Sequence, residues 1–325
     1  MRAFLTGGTG FIGGRLAARL RERGDEVAAL VRSPERADRL SALGCELVRG
    51  DLADEESIRK GVLGCHATFH AAAAYRVGIP SSERPAMYDA NVRGTERVID
   101  AASEAGVERI VYVSTIGAFG NTGGRIVDET YSHPGSGYRS YYEETKVLAH
   151  RAAEERIARG APVIVVMPGG VYGPGDSSDL GRLIDRVRRG RLPGRMYPDT
   201  GFNWVHVEDV VDGILLAHDR GRVGERYVLG GHVGTMGDMI DAVAAASGRR
   251  APRWRWPSPL IKAGIPFGRL LGPMLGLGPN LRELIAAADG VTYWASHEKA
   301  ERELGYRPRD LRTGVGETVK ALPAA

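Results

Sequence analysis

Cysteine and long apolar runs are what this 325-residue sequence has least of. Its two cysteines, Cys45 and Cys65, are too few for a disulfide framework and lie in no metal-binding spacing, which indicates a reducing, cytoplasmic setting. No uninterrupted apolar run is long enough to span a bilayer, and no signal peptide precedes the first apolar segment. Stable membrane insertion is therefore not expected.

The charged residues are numerous but mixed in sign. Lys and Arg number 44 and Asp and Glu number 40, which gives a net charge of +4 with no block of one sign. This scatter disfavours a nucleic-acid partner and leaves a small-molecule substrate as the expectation. The 43% of hydrophobic residues suffices for a large core, in one domain or in one domain with an added lobe.

A glycine-rich turn follows the first predicted strand, Arg2 to Leu5, and precedes a segment of helical periodicity that begins at Phe11. Glycines allow a sharp turn and a close approach, and free amides at a helix N-terminus attract phosphate, so the turn predicts dinucleotide binding. A purely structural turn is the alternative. The expected contacts are Gly7, Gly8, Thr9, Gly10, Phe11, Ile12 and Gly13.

The second predicted strand, Glu26–Val31, ends where the adenosine ribose of a bound dinucleotide would lie. A carboxylate there would suit NAD, whereas Arg32 offers a fork of donors suited to a phosphate, with Ser33 beside it and Arg36 a turn further on. The expected cofactor is therefore NADP(H), with NAD(H) as the alternative. A solvated surface arginine is the structural alternative for Arg32.

Two later strand ends offer further cofactor contacts. Asp51 and Leu52 follow the third predicted strand, 44–49, and Asp51 is expected either to meet the adenine amine or to cap the helix that begins near Asp54. After the fourth strand, 67–70, small side chains leave room for the cofactor at Ala71, Ala72 and Ala73. His66 and His70 flank that strand without a third ligand, so no metal site is expected.

A tyrosine and a lysine four positions apart provide the candidate proton chemistry. Tyr142 and Lys146 share one face of a helix predicted from Tyr141 to about Arg156, and an ammonium beside a phenol lowers the pKa of the phenol. The fifth strand, 109–113, ends in Ser114 and Thr115, whose hydroxyls would point into the cleft or simply form a turn.

Together these motifs resemble the extended short-chain dehydrogenase/reductase family, of the NAD-dependent epimerase/dehydratase type. The resemblance includes His70-Ala71-Ala72, the stretch from Asn91 to Thr95, Val171-Tyr172-Gly173-Pro174 and Val205 to Val210. Within the family the chain is most similar to dihydroflavonol-reductase-like members. This implies an α/β fold: a Rossmann-type, doubly wound parallel sheet over 1–168, to which 202–233 returns, and a smaller substrate-binding lobe over 169–201 and 234–325.

The resemblance also implies roles for matching positions. Tyr142 would be the general acid, Lys146 would hold the ribose, and Thr115, rather than Ser114, would hydrogen-bond the substrate oxygen. Further cofactor contacts are implied at Asn91, Pro168, Gly169 and Val171. Substrate contacts are implied at Tyr75, Ile116, Gly170, Tyr172 and Trp204. The resemblance is also compatible with a homodimer.

Two departures from the family's sugar-nucleotide enzymes bear on the substrate. Those enzymes usually carry asparagine where Gly169 or Gly170 stands and an Arg-Asp pair where 202–204 reads Phe-Asn-Trp. We therefore expect an NADPH-dependent reductase of an apolar aldehyde or ketone, with a sugar-nucleotide epimerase or dehydratase and a non-catalytic NADP-sensing protein as alternatives. Pocket walls, lobe core or an oligomer contact are expected at Trp254, Trp256, Phe267 and Met274.

Overall fold

The computed structural model describes residues 1–267 and 280–323. Their main sheet is parallel and contains β1 (Arg2–Thr6), β2 (Glu26–Val31), β3 (Glu46–Arg49), β4 (Ala67–His70), β5 (Arg109–Val113), β6 (Val163–Pro168) and β9 (Arg226–Leu229). The strand order is β3-β2-β1-β4-β5-β6-β9. The order reverses between β1 and β4, which is the point where ligands bind in open α/β sheets. The predicted Rossmann-type fold is confirmed.

Helices cover both faces of this sheet. The helices of the described residues, including those of the second lobe, are α1 (Gly13–Glu22), α2 (Asp38–Ala42), α3 (Glu55–Val62), α4 (Arg84–Tyr88), α5 (Gly94–Glu104), α6 (Tyr141–Ala158), α7 (Asp179–Arg188), α8 (Val207–Arg220), α9 (Met236–Ala246), α10 (Ser258–Ala263), α11 (Leu281–Ala286), α12 (Glu298–Leu304) and α13 (Leu311–Ala321). A π-helical turn, Asp89–Arg93, joins α4 to α5. In the described residues no helix is both long and apolar enough to cross a membrane.

Alternation along β1 shows how the sheet separates two cores. Leu5 packs with Leu16 of α1 and Val210 of α8 on one face. Phe4 packs on the other face with Ile58 of α3 and the buried side of α5. Successive side chains of a strand point to opposite faces, so an apolar strand covered by helices on both sides is buried throughout.

A second lobe is built on a three-stranded sheet. The strands β7 (Gly170–Tyr172), β8 (Gly201–His206) and β10 (His232–Thr235) pair in the order β10-β8-β7. The helices α7, α9 and α13 cover it. The predicted return to the main sheet at residue 202 therefore begins only at Val207, because β8 pairs with β7 and β10 while α8 and β9 rejoin the main sheet.

Candidate active site

The glycine turn lies at the carboxyl end of β1, beside the end of β4. Gly7 has a positive φ of 77°, and a Cβ there would be 2.7 Å from the backbone N of Ala72. A Cβ on Gly13 would be 2.1 Å from the carbonyl oxygen of Gly7. Only glycine permits both approaches, so the turn, the start of α1 and the β4 loop form one tight concave surface.

The amides at the start of α1 suit an anion. Among the described residues, the amides of Phe11, Ile12 and Gly13 donate no hydrogen bond to the backbone, whereas Gly10 N donates to Gly7 O over 2.8 Å. Free amides at a helix N-terminus attract negative charge, and the helix dipole adds to that attraction. The concave glycine surface and its free amides therefore fit the pyrophosphate of a nicotinamide dinucleotide.

Exposed arginines follow β2. Arg32 and Arg36 have no ion-pair partner in the described part of the chain, and Ser33 between them is half-buried. Arg39 is likewise exposed, and its Nη1 would be 3.8 Å from a Cβ on Gly14. Free guanidinium groups beside the turn are available to a phosphate on the adenosine ribose.

Asp51 does not cap a helix. Asp54 is the N-cap of α3, because its carboxylate accepts the backbone N–H of Ser57, whereas Asp51 Oδ1 accepts from Ala53 N over 2.7 Å. The capping alternative for Asp51 is therefore wrong. Its carboxylate is exposed, and Leu52 beside it is half-buried, where it limits the space at Gly94.

The structure brings Tyr142 and Lys146 together near the start of α6. This helix is capped by Ser140, whose Oγ accepts from Glu143 N, and it contains the predicted Tyr141–Arg156 segment. Lys146 is buried, with its Nζ 5.5 Å above the ring centroid of Tyr112. The ring of Tyr142 is half-buried and meets the ring of Tyr75 edge to face, with the centroids 4.9 Å apart.

Burial, followed by the nearby phenols of Tyr75 and Tyr112, raises the pKa of Tyr142 above its usual value. This differs from the expected lowering by Lys146. Desolvation is the largest cause: the ring of Tyr142 packs against Tyr75, while the ammonium of Lys146 lies over the ring of Tyr112. A phenol with a raised pKa is protonated at neutral pH, so a proton is present for donation, but the phenol is a weaker acid than free tyrosine.

Ser114 and Thr115 differ in their surroundings. Ser114 is buried, and its Oγ lies 3.0 Å from Nδ1 of His150 on α6, so it is engaged inside the protein. Burial and the charges of Arg226 and Lys146 lower the pKa of His150 to about 3, which keeps this imidazole neutral. Thr115 is half-buried, and its Oγ1 accepts from Gly117 N over 3.1 Å, which leaves its own proton available for donation.

A buried hydrogen-bond chain links the glycine turn to α6. His70 Nδ1 lies 2.7 Å from Thr6 Oγ1, and His70 Nε2 lies 3.1 Å from Thr95 Oγ1. Thr95 Oγ1 donates to the carbonyl oxygen of Asn91 over 2.7 Å. Because that hydroxyl gives its proton to Asn91, it accepts from the imidazole, so His70 carries its proton on Nε2 and Thr6 donates to Nδ1.

The chain continues through the side chain of Asn91 in the π-helical turn. Its Nδ2 donates to Thr145 Oγ1 over 3.0 Å, and Thr145 Oγ1 donates to the carbonyl oxygen of Tyr142 over 2.9 Å. The Asn91 side chain also accepts from the backbone N of Ala74 and donates to the carbonyl oxygen of Ala74. Asn91 therefore supports the β4 loop and α6. π-helical turns are rare in proteins and frequently lie at functional sites.

Burial and the Lys146 ammonium lower the pKa of His70 to about 3. The imidazole is therefore neutral at physiological pH, in agreement with its two hydroxyl neighbours. Lys146 lies over the ring of Tyr112 in β5, and the hydrogen-bond chain joins Thr6 at the end of β1 to Thr145, the residue before Lys146. The two sequence motifs thus meet at one edge of the main sheet.

Three of the predicted substrate contacts are corrected. Ile116, Tyr172 and Trp204 are between 1% and 3% exposed and belong to the hydrophobic cores. Ile116 lies in a buried 3₁₀ turn, and the other two pack within the second lobe, because their strands carry these rings on the covered face. Tyr75 is exposed and Gly170 half-buried, so these two remain accessible.

The residues after β6 leave no room for an added side chain. A Cβ on Gly169 would be 2.1 Å from the carbonyl oxygen of Asn203, and one on Gly170 would be 3.0 Å from the ring of Trp204. Asn203 is fully buried: its Nδ2 donates to the carbonyl oxygen of Ala295, and its Oδ1 accepts from the backbone N of Gly231. The packing around Gly169 and Gly170 therefore leaves no space for an asparagine side chain at either position. Pro168 is buried and Val171 packs against the first core, so both border this tight passage.

Two contributors were missed by sequence reasoning. Glu283 of α11 accepts from Arg84 and from the backbone N of Tyr141, so it joins the lobe to the start of α6. His150 was missed as the partner of Ser114. No local pattern signals contacts between residues so distant in sequence.

Among the described residues no cluster of His, Cys, Asp and Glu could hold a metal ion. Two of the residues expected as pocket walls, lobe core or an oligomer contact cannot be compared, because the side chain of Phe267 and all of Met274 lie outside the described part of the chain.

Comparison with known proteins adds independent evidence. The profile of the NAD dependent epimerase/dehydratase family matches residues 3–230. A protein of Synechocystis, provisionally named dihydroflavonol 4-reductase, is 34% identical over 97% of this chain and 93% of its own length. A 4-hydroxy-2-methyl-3-oxo-4-farnesyl-3,4-dihydroquinoline-1-oxide ketoreductase of Stigmatella aurantiaca is 34% identical over 95% and 92%. The crystal structure of gox2253, 33% identical, covers 98% of this chain and 97% of its own, with a TM-score of 0.84.

Proposed function

Because the chain belongs to the NAD dependent epimerase/dehydratase family within the extended short-chain dehydrogenases/reductases, we propose that it is an NADPH-dependent carbonyl reductase. Its substrate would be an aldehyde or ketone on a fairly apolar small molecule. The observation that carries this proposal is the buried hydrogen-bond chain that joins the end of β1, where the glycine turn begins, to the turn of α6 that carries Tyr142 and Lys146. The Synechocystis and Stigmatella relatives are both named as reductases, which supports reduction as the reaction of this chain.

The roles follow from the donors at that edge. Tyr142, which keeps its proton at neutral pH, donates it to the carbonyl oxygen, and Thr115 donates a hydrogen bond to the same oxygen. Lys146 binds the ribose and holds a positive charge beside the reaction. The bound nicotinamide supplies the hydride. Ser114 acts inside the protein, through His150.

Arg32, Arg36 and Ser33 support NADP(H) over NAD(H). Two exposed guanidinium groups without an acidic partner in the described part of the chain suit a ribose phosphate, and no carboxylate stands at the end of β2 to bind ribose hydroxyls. Replacing Arg32 with Ala should weaken NADPH binding about 10- to 100-fold, the value of one charge-assisted hydrogen bond. NADH binding should not change. Arg49→Ala, which removes an exposed arginine paired with Glu35, is the matched control.

The sugar-nucleotide alternative lacks support at the passage after β6. Trp204 and the Asn203 backbone occupy the space in which that class carries asparagine. The non-catalytic alternative is disfavoured by the retained Tyr142 and Lys146. Both alternatives predict no NADPH oxidation with simple apolar ketones.

The decisive experiment follows NADPH oxidation by absorbance with a panel of apolar ketones and aldehydes. In parallel, UDP- and dTDP-sugars are incubated with the protein and NAD(P)⁺ and their products are separated by chromatography, because epimerisation and dehydration consume no coenzyme. Tyr142→Phe should lower kcat by about 10²- to 10⁴-fold while NADPH affinity stays within about twofold. The control is Tyr141→Phe in the same helical turn, whose ring lies over Arg84 instead. Turnover that survives in Tyr142→Phe, or turnover of sugar nucleotides alone, would overturn the proposal.

A further inference from the structure

The segment from Arg249 to Trp256 reads Arg-Arg-Ala-Pro-Arg-Trp-Arg-Trp and lies on the surface of the second lobe. Trp254 is 59% exposed and Trp256 is 38% exposed. These indoles are therefore not lobe core, which corrects one of the sequence-based interpretations. Two more large apolar side chains, Met196 and Leu260, are exposed on adjacent segments. We call Met196, Trp254, Trp256, Leu260 and the arginines 249, 250 and 253 the indole–arginine surface.

The backbone holds both indoles in this exposed position. Arg195 N donates to Trp254 O over 2.8 Å, and Trp256 N donates to Arg195 O over 2.9 Å, so the segment is paired like a short strand. The two rings meet edge to face with centroids 6.4 Å apart. Both rest on Gly194, where a Cβ would be 2.7 Å from Trp256 Nε1. An ordered apolar surface of this kind indicates a partner, because exposure of large apolar groups is costly in water.

Charge around the indoles is positive after internal pairing. The three basic groups that have acidic partners are Arg195 with Asp241, Arg255 with Asp199 and Lys262 with Asp289. Arg249, Arg250 and Arg253 are exposed, and in the ranges that the structure covers none of them forms an ion pair. The surface therefore combines apolar rings with an uncompensated charge of one sign.

We propose that the indole–arginine surface adsorbs to a bilayer that contains anionic lipids. Tryptophan is favoured at the boundary between headgroups and acyl chains, and arginine is attracted to anionic headgroups while its stem covers apolar surface. A second copy of the chain is a poorer occupant, because a two-fold contact would bring the arginines of both copies together. This contact is peripheral, on the surface of the bilayer, and is independent of the proposed reductase activity.

The test uses the full chain and sucrose-loaded vesicles of phosphatidylcholine, alone or mixed with phosphatidylglycerol. Wild-type protein should sediment with the anionic vesicles and not with the neutral ones, with a blue shift of its tryptophan fluorescence. Each arginine near an anionic surface contributes about fivefold to partitioning, so Arg250→Ala/Arg253→Ala should weaken it on the order of twentyfold. The control Arg159→Ala/Arg307→Ala removes two exposed arginines elsewhere and should change it less than about twofold.

Trp254→Ala tests the apolar half of the surface. Its indole is mostly exposed, so the variant should keep the wild-type melting temperature while partitioning and the blue shift decrease. The proposal is overturned if anionic vesicles fail to sediment the protein, if the two arginine pairs behave alike, or if Trp254→Ala partitions as wild type. A dimer by light scattering that Trp254→Ala dissociates would also overturn it, in favour of an interface between copies.

Discussion

Gly13→Ala tests how closely the glycine turn must approach α1. The added Cβ would lie 2.1 Å from the carbonyl oxygen of Gly7, 2.7 Å from its carbonyl carbon and 3.1 Å from Gly8 N. All three neighbours are backbone atoms, so no rotamer change relieves the clash. The turn must move by more than about 1 Å, and Gly7 O is also the acceptor for Gly10 N.

The expected cost has two parts. Overpacking of this kind lowers the free energy of unfolding by about 1–3 kcal/mol. Displacement of the turn misaligns the free amides of Phe11 and Ile12, and each charge-assisted hydrogen bond lost to a phosphate weakens NADPH binding about 10- to 100-fold. Because Tyr142, the proposed proton donor on α6, is untouched, kcat at saturating NADPH should fall less than the affinity for NADPH.

Urea unfolding and titration of NADPH fluorescence measure the two parts. The matched control is Gly14→Ala, the next residue of the same helix, whose Cβ would be 3.2 Å from Gly8 O and needs a much smaller adjustment. Its affinity for NADPH should stay within a few-fold of wild type. If Gly13→Ala binds NADPH normally, or if both variants lose affinity alike, close approach of the turn is not what positions the cofactor.

Three further changes have expected outcomes. Asn91→Ala leaves the amide of Ala74 without its buried partner and should lower the free energy of unfolding, measured in urea, by about 1–3 kcal/mol. An unchanged free energy of unfolding would contradict the role of Asn91 in supporting the β4 loop. His70 and His150, with pKa lowered to about 3, are neutral when folded but titrate near 6.5 when unfolded, so stability is retained above pH 6.5 and lost as the pH falls towards 3. Each should cost about 2 kcal/mol between pH 7 and 5, and His150→Gln should show a shallower decline than wild type. Gly169→Asn should lower the urea midpoint by displacing β8, whereas Gly316→Ala, with open space around its Cβ, should not; equal midpoints would contradict the packing described.

Local patterns predicted the parts of the site that depend on neighbours in sequence. The glycine turn, the strands that follow it and the Tyr142–Lys146 spacing each depend on a few adjacent residues, and the structure has them on the expected elements. Family membership and the likeness to dihydroflavonol-reductase-like proteins are confirmed. The roles of the individual site residues stay predictions.

The errors concern partners that are distant in the chain. Trp204 and Tyr172 are buried because β7, β8 and β10 form a separate sheet, which depends on pairing between residues 28 to 34 positions apart and on the helices over it. The engagement of Ser114 by His150 joins β5 to the middle of α6. Trp254 and Trp256 were expected as pocket walls, lobe core or an oligomer contact, and lobe core is wrong because the pairing of 195 with 255 leaves both indoles exposed.

The run of hydrogen bonds from Thr6 through His70, Thr95, Asn91 and Thr145 has a consequence for engineering. All five side chains are buried. His70 joins Thr6 to Thr95, Thr95 donates to the main-chain carbonyl of Asn91, and the Asn91 amide donates to Thr145, so changing His70, Thr95 or Asn91 alone leaves a buried polar partner unsatisfied. The end of β1 and the turn of α6 that carries Tyr142 and Lys146 must therefore be transplanted as one block. None of the five comes from the second lobe, so a lobe borrowed from a relative with another substrate could be grafted without rebuilding this block.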